Sequence, residues 1–391
     1  RAGHVEEGYF QYQGSLHKGA PLAARSLSLF FKVRDAELAF QPGWPSLREG
    51  AGEVLIEDDA VRVRLQQGRL LDSQVTDVAA NIPLLHDGKA PHLYLEGDVQ
   101  SSLSDAIKLL QEAPLGTSQI FAGWQGEGPL AGRLKLDIPL HKGDAPVVVV
   151  DFATEGARLK LPNPDLQLSK VKGAFRFDST AGLSSPDVRG EVFGRQVRGK
   201  ISAEGARGQA RTLFDLRGQV QVDTLNKWLN GPQALPVSGL LPYRLRLTLD
   251  GDDSQLRVDS NLLGVNVALP APFGKGAEQE AYADWRMTLS GKERRYWADY
   301  RGLASLNLAA PPTALAEGRG ELMLGGAPAR LPTSQGLRVR GRLSIESELA
   351  YERLELEMRG LGFTPLFRTE GDEHVVLVTP EIVRPESSNP A

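Results

Sequence analysis

Six histidines could ligate a metal or move a proton: His4, His17, His86, His92, His141 and His374. None belongs to an H-E-x-x-H pair, the spacing that puts two imidazoles on one helix face. His86 and His92 flank a turn sequence, His86-Asp-Gly-Lys89, and read as exposed loop histidines. Paired acids occur at Asp58-Asp59 and Asp252-Asp253. Both pairs sit in turn sequences, where Asp is favoured because it hydrogen-bonds its own backbone. Phe273-Gly-Lys-Gly276 carries the Gly-Lys of a phosphate loop, but Leu269 stands where that loop needs its first glycine. No Ser or Thr follows the lysine either, so the segment reads as a turn. There is no G-x-S-x-G elbow for a serine nucleophile. The chain has no cysteine, which excludes a thiolate metal site, a Cys nucleophile and a disulfide framework. The expectation is a chain that is not an enzyme, with no catalytic residue, no metal site and no cofactor. One aromatic and basic run stands out, Lys292-Glu-Arg-Arg-Tyr-Trp297. It fits either the end of an amphipathic strand or a contact with a lipid headgroup layer.

The elements around these residues follow one pattern. Segments of alternating apolar and polar residues recur, set off by glycine or a turn. Examples are Gly132-Arg-Leu-Lys-Leu-Asp-Ile-Pro-Leu140, Gly173-Ala-Phe-Arg-Phe-Asp178 and Tyr243-Arg-Leu-Arg-Leu-Thr-Leu-Asp250. Successive side chains of a strand point to opposite faces, so each segment has an oily face and a wet face. The strongest oily faces are Leu134, Leu136 and Ile138; Phe175 and Phe177; and Leu245, Leu247 and Leu249. Other expected strands include Ser26 to Val33, Ala36 to Phe40 and Gly68 to Ala79. A hairpin is expected from Tyr243–Asp250 and Gln255–Ser260 about a Gly251-Asp-Asp turn. Ser102 or Ser104 is positioned to cap a helix carrying Leu103, Ile107 and Leu110 that ends before Pro114. A second short helix is expected from Thr224 to Leu229, stopped by Asn230-Gly231.

The chain has 391 residues, 45 basic and 49 acidic, for a net charge of -4. The basic residues are dispersed, which argues against a nucleic-acid stripe. No apolar run reaches the roughly 18–20 residues of a membrane-spanning helix. One of the longest, Val147 to Val150, reads as a buried strand. The chain opens on Arg1, without an initiator Met or a signal peptide, and reads as an internal or processed segment whose membrane anchor lies outside it. Turn spacing divides it at about 1–116, 117–236 and 237–342. Alternation by itself fits either a closed sandwich core or an open apolar face.

Certain stretches carry a more specific resemblance. They include Phe31-Lys-Val-Arg-Asp-Ala-Glu-Leu-Ala-Phe-Gln-Pro-Gly-Trp-Pro45, Val61-Arg-Val-Arg-Leu-Gln-Gln-Gly-Arg-Leu70, Leu225-Asn-Lys-Trp-Leu229 and Leu269-Pro-Ala-Pro-Phe-Gly-Lys275. In this order they resemble the central region of the YhdP-type members of the AsmA-like family, over residues 5 to 342. The resemblance implies a mostly β fold: a long twisted antiparallel sheet bent into an apolar groove, with two or three short helices. It also implies a periplasmic body, anchored to the inner membrane of a Gram-negative bacterium, that moves phospholipid toward the outer membrane and supports its permeability barrier. The eight oily residues above would then line the groove. Phospholipid, the two membranes and other envelope proteins would be the partners. A scaffold that binds envelope proteins without lipid is the alternative. Residues 343–391 depart from this pattern. Leu361-Gly-Phe-Thr-Pro-Leu-Phe-Arg368 and Glu373-His-Val-Val-Leu-Val-Thr-Pro-Glu-Ile-Val-Arg-Pro385 resemble the end of a secretin pore domain, which implies a secretion component or a misjoined tail.

Overall fold

The computed structural model describes residues 2–15, 17, 25–39, 44–84, 90–112, 121–141, 146–162, 165–205, 211–228, 236–269, 271–312, 314, 317–345, 367–370 and 373–378. For 25, 252, 341–345 and the last two stretches it describes the backbone alone. The chain forms two compact units, Arg1–Val192 with Lys200–Ala210, and Phe193–Gly199 with Arg211–Ala391.

Unit 1 is built from β1 (Ala2–Gly14), β2 (Arg25–Leu38), β3 (Leu47–Glu57), β4 (Ala60–Leu70), β5 (Ser73–Pro83) and β6 (His92–Ser102). Helix α1 (Leu103–Glu112) follows, then β7 (Gln125–Glu127), β8 (Pro129–Pro139), β9 (Val147–Pro162), β10 (Asp165–Asp178) and β11 (Gly182–Val192). Each main strand pairs antiparallel with its neighbour in sequence; the exception is β6, which skips α1 and β7 to pair with β8. Helix α1 starts where expected. The Ser102 hydroxyl accepts a hydrogen bond from the Asp105 N–H at 3.1 Å, the N-cap geometry that satisfies one of the free amides of a first turn. Asp105 is buried, and its carboxylate accepts from the Asp72 N–H and the Ser73 hydroxyl, at 3.0 and 2.8 Å.

The strands of unit 1 are not straight. Asp35, Glu49, Asp77 and Lys170 have φ between 49° and 53°. All four lie where the pairing register slips, between Val33 and Ala36, between Arg48 and Ala51, between Thr76 and Ala79, and between Leu168 and Val171. An extra residue in one strand of a pair bends that strand and tightens its twist. A line of bulges therefore crosses β2, β3 and β5 and curves the sheet. Two expectations are corrected. Ser26–Val33 and Ala36–Phe40 are one bulged strand, β2, where they are described. Gly68 to Ala79 is two strands, because Leu71 takes φ 57° and turns the chain with Asp72. Val147–Val150 is corrected as well: it lies half-buried in β9, with Val147 and Val149 opposite Asp137 and Lys135.

Strand β12 (Arg195–Glu204) is divided between the units. Unit 2 continues with β13 (Arg211–Gln221), α2 (Val222–Trp228), β14 (Val237–Leu249), β15 (Gln255–Ser260), β16 (Val265–Val267), β17 (Ala283–Thr288), β18 (Arg294–Tyr300), β19 (Ala304–Ala310) and β20 (Arg319–Leu324). It ends with β21 (Gly336–Ile345), β22 (Phe367–Glu370) and β23 (Glu373–Val378). The β14–β15 hairpin forms as expected, closed by a 3-10 turn over Gly251–Asp253. Asn230-Gly231, the expected stop of α2, lies outside the described residues. Among the described residues of unit 2 the antiparallel rule breaks once, where β21 pairs parallel to β20. The intervening chain crosses the polar face of β19 and β20. There it buries Glu321, which accepts from the Arg330 N–H at 2.7 Å. The two strands of the secretin-like tail form a hairpin, and β23 adds antiparallel to β21. The rest of that tail, and the Glu346–Arg359 stretch before it, lie outside the described residues.

Candidate functional site

Register decides whether alternating strands make one coherent face, since a slip by one residue would send every apolar side chain to the other side. In unit 1 the register aligns Gly8, Phe31, Val54, Val63, Ala80, Leu95, Leu136 and Val148 as direct cross-strand neighbours. One rung over, Leu134 meets Val150, which meets Phe177, which meets Leu183. On the other side Ile138 faces Leu93. Phe175 faces Phe152, with ring centroids 5.1 Å apart and nearly parallel. Five of the eight expected lining residues thus share one apolar face.

Unit 2 repeats the arrangement. Leu216, Leu245, Val258, Trp285, Ala298, Leu306 and Leu322 form one row. Phe214, Leu247, Leu256, Met287, Tyr296 and Leu308 form the next. Leu249 ends the same face opposite Thr212.

Residue exposure distinguishes an open face from a sandwich core. Two sheets packed face to face bury the residues between them. Here Leu134, Leu136, Ile138, Phe175, Leu245 and Leu247 are only half-buried, and Phe177 and Leu249 are 36% and 40% exposed. The buried apolar residues described in unit 1 are Ala60, Ile107, Ala157 and Ile201, none of them on these rows.

The reverse face is ionic. In unit 1 Arg133 pairs with Glu96 and Asp98, Lys135 with Glu96, and Arg176 with Asp151. In unit 2 Arg244 pairs with Asp215 at 2.6 Å, Arg246 with Asp259, and Arg286 with Asp284. The Arg244 guanidinium holds the Asp215 carboxyl below the usual carboxylate range. The solvent-exposed pairs among these contribute little each to stability. They keep that face in water and so fix which face is oily.

One end of the unit 2 apolar face is closed. Val222 of α2, Leu262, Val265 and Val267 form a buried cluster against Leu241, Ala283 and Tyr300. The loop after β16 is held down by Lys275, which is 5% exposed and donates from Nζ to the carbonyls of Leu262 and Val265 at 2.8 and 2.5 Å. Burial, with the Arg301 guanidinium nearby, pushes the Lys275 ammonium down from the usual lysine range. Of the turn expected at Phe273–Gly276 only Phe273 lies in one, while Lys275 pairs as an antiparallel bridge with Val267; sequence reasoning also missed that this lysine is buried. Its partners are main-chain carbonyls more than nine residues away, which no local pattern marks.

The residues weighed for catalysis are dispersed. His92 Nδ1 lies 2.6 Å from Asp137, Asp58 accepts from the Leu27 N–H, and Asp59 pairs with Arg62. His86 lies outside the described residues. Among the described residues no group of His, Asp and Glu could hold a metal ion, and no helix is long and apolar enough to cross a membrane.

A mostly β chain whose antiparallel strands carry register-matched apolar faces defines the fold class. A family model described as YhdP protein matches residues 1–346, and the chain belongs to the YhdP family. The intermembrane phospholipid transporter YhdP of Escherichia coli (strain K12) is 24% identical over 256 residues, 63% of this chain and 19% of the relative. The chain therefore spans about a fifth of the length of that relative. No solved structure matches it.

Proposed function

We propose that residues 1–342 are a segment of a phospholipid conduit between the inner and outer membranes, and that the two apolar faces carry the acyl chains. The chain lies in the periplasm, anchored to the inner membrane through a part of the protein outside this segment, and its traffic supports the outer-membrane permeability barrier. The observation that carries this reading is the register. Apolar residues meet apolar residues across successive strands, half-exposed, with ion pairs on the reverse face. A covering sheet would make that surface a core; left open, it is a site for an apolar chain.

Affinity would come from removing acyl methylenes from water, about 0.8 kcal/mol each. Nothing in the rows themselves selects a headgroup, so acyl binding is broad. Leu134, Leu136, Ile138, Phe175, Phe177, Leu245, Leu247 and Leu249 are the lining residues under this reading. Organic extraction of the purified chain followed by lipid mass spectrometry is the test. Co-purifying phospholipid supports the conduit. A chain that folds, binds envelope proteins and carries no lipid would instead be a scaffold.

A further inference from the structure

Strand β18 runs the length of the unit 2 apolar face. Its residues on that face are Arg294, Tyr296, Ala298 and Tyr300. At the far end the Tyr300 hydroxyl donates to the Phe273 carbonyl at 2.6 Å, within the closed end described above. At the near end stands Arg294, opposite Ala310, which is fully buried. The Arg294 Nε–H is itself buried and has no hydrogen-bond partner among the described residues. Arg246 and Arg257 also leave Nε unpaired, but their terminal nitrogens reach Asp259 and Asp284. Arg294 has no ion pair among the described residues, and its neighbour Glu293 is taken by Arg319 at 2.8 Å. A guanidinium at the rim of an oily face, with a desolvated donor to spare, suits a planar or tetrahedral oxyanion.

The spacing suits one particular oxyanion. From Arg294 to Tyr300 the strand covers about 20 Å, at roughly 3.4 Å per residue. One leaflet with its headgroups is also about 20 Å, half of a roughly 40–45 Å bilayer. We infer that unit 2 seats a phospholipid in one orientation, its phosphate on Arg294 and its tails running over Tyr296 and Ala298 to the closed end at Tyr300. This deepens the conduit reading and rests on it.

The test is local crosslinking. A photoreactive phenylalanine analogue at position 308, beside Tyr296, is placed in the full 391-residue chain. The chain is then offered vesicles containing equal dioleoylphosphatidylglycerol and dioleoylglycerol. The chain should capture the phospholipid over the diacylglycerol. Arg294→Gln should lower that preference at least tenfold, as expected for a lost charge-assisted hydrogen bond. Arg294→Lys should keep part of it, and Arg295→Gln, on the opposite face, should change nothing. If both lipids crosslink equally in the chain and in Arg294→Gln, the face binds acyl chains and the Arg294 assignment falls. The assignment also falls if millimolar inorganic phosphate alone displaces the phospholipid. If neither lipid crosslinks at all, the conduit reading fails first.

Discussion

Leu136→Asp is the sharpest probe of the apolar face. Leu136 sits mid-strand in β8, flanked in register by Leu95 and Val148, and is half-buried. Full burial of a leucine contributes about 1.5–3 kcal/mol, so half-burial puts about 1 kcal/mol of folding stability at risk. The new carboxylate faces an open side and stays hydrated while the face is empty, so the fold should survive. An acyl chain laid over it would strip that water. On a membrane-insertion scale Asp costs about 2.5–3.5 kcal/mol at a bilayer centre and Leu gains about 0.3–0.6, a difference of about 3–4 kcal/mol. At 1.4 kcal/mol per tenfold, lipid occupancy at this rung should fall by about a hundredfold or more. A photoreactive analogue at position 148, directly opposite, reports occupancy there and not elsewhere on the chain. Leu136→Ala controls for lost volume and should cost far less than Asp. A Leu136→Asp chain with an unchanged circular dichroism spectrum and undiminished lipid crosslinking at position 148 would refute the assignment of this face.

Three further outcomes follow from the surrounding structure. Asp105→Asn keeps the shape but removes the charge that accepts from the Asp72 N–H and the Ser73 hydroxyl. It should destabilise the chain by about 1–3 kcal/mol, read as a lower urea midpoint. Lys275→Met removes the donor to two carbonyls in the closed end of unit 2. A loss of about 1–3 kcal/mol is expected, with faster hydrogen exchange in residues 262–276 than in β4 or β5. Asp215 has a folded pKa lowered by Arg244, so the unfolded chain binds more protons between the folded value and about 3.9. Its contribution is present above about pH 4 and is lost as pH falls through the folded value. The urea midpoint of Asp215→Asn should therefore lie below that of the unsubstituted chain at pH 7 and converge with it as pH falls below the folded value.

Much of this architecture is legible from alternation, because a period of two assigns each side chain to a face before any pairing is known. Leu134, Leu136 and Ile138 share a side for that reason, and so do Leu245, Leu247 and Leu249. The helix at Leu103 is legible from its Ser102 cap. Backbone irregularity is harder to read. Asp35, Glu49 and Asp77 adopt left-handed conformations without a glycine to announce them. Leu71 turns the chain without Gly or Pro in the turn, which is why Gly68–Ala79 reads as one strand. The direction of β21 is equally hidden, since a strand has the same alternation whether it pairs parallel or antiparallel. The face of Val147–Val150 could not be read either, because a pure valine run has no alternation to assign. Arg294 belongs to a basic run that stands out in sequence. That it shares the oily side with Tyr296, and Arg295 does not, follows only from the pairing of β18 with β19.

The order of strand pairing has a consequence for how the chain acquires its structure. Most strands find their partner in the next strand along the sequence. Loop-closure entropy is then small at each step, and low contact order favours rapid formation. A chain delivered unfolded from one end can zip up hairpin by hairpin without waiting for its far end. By the same logic, damage at one hairpin opens its immediate neighbours and leaves distant ones standing, as in repeat proteins whose units contact only those beside them.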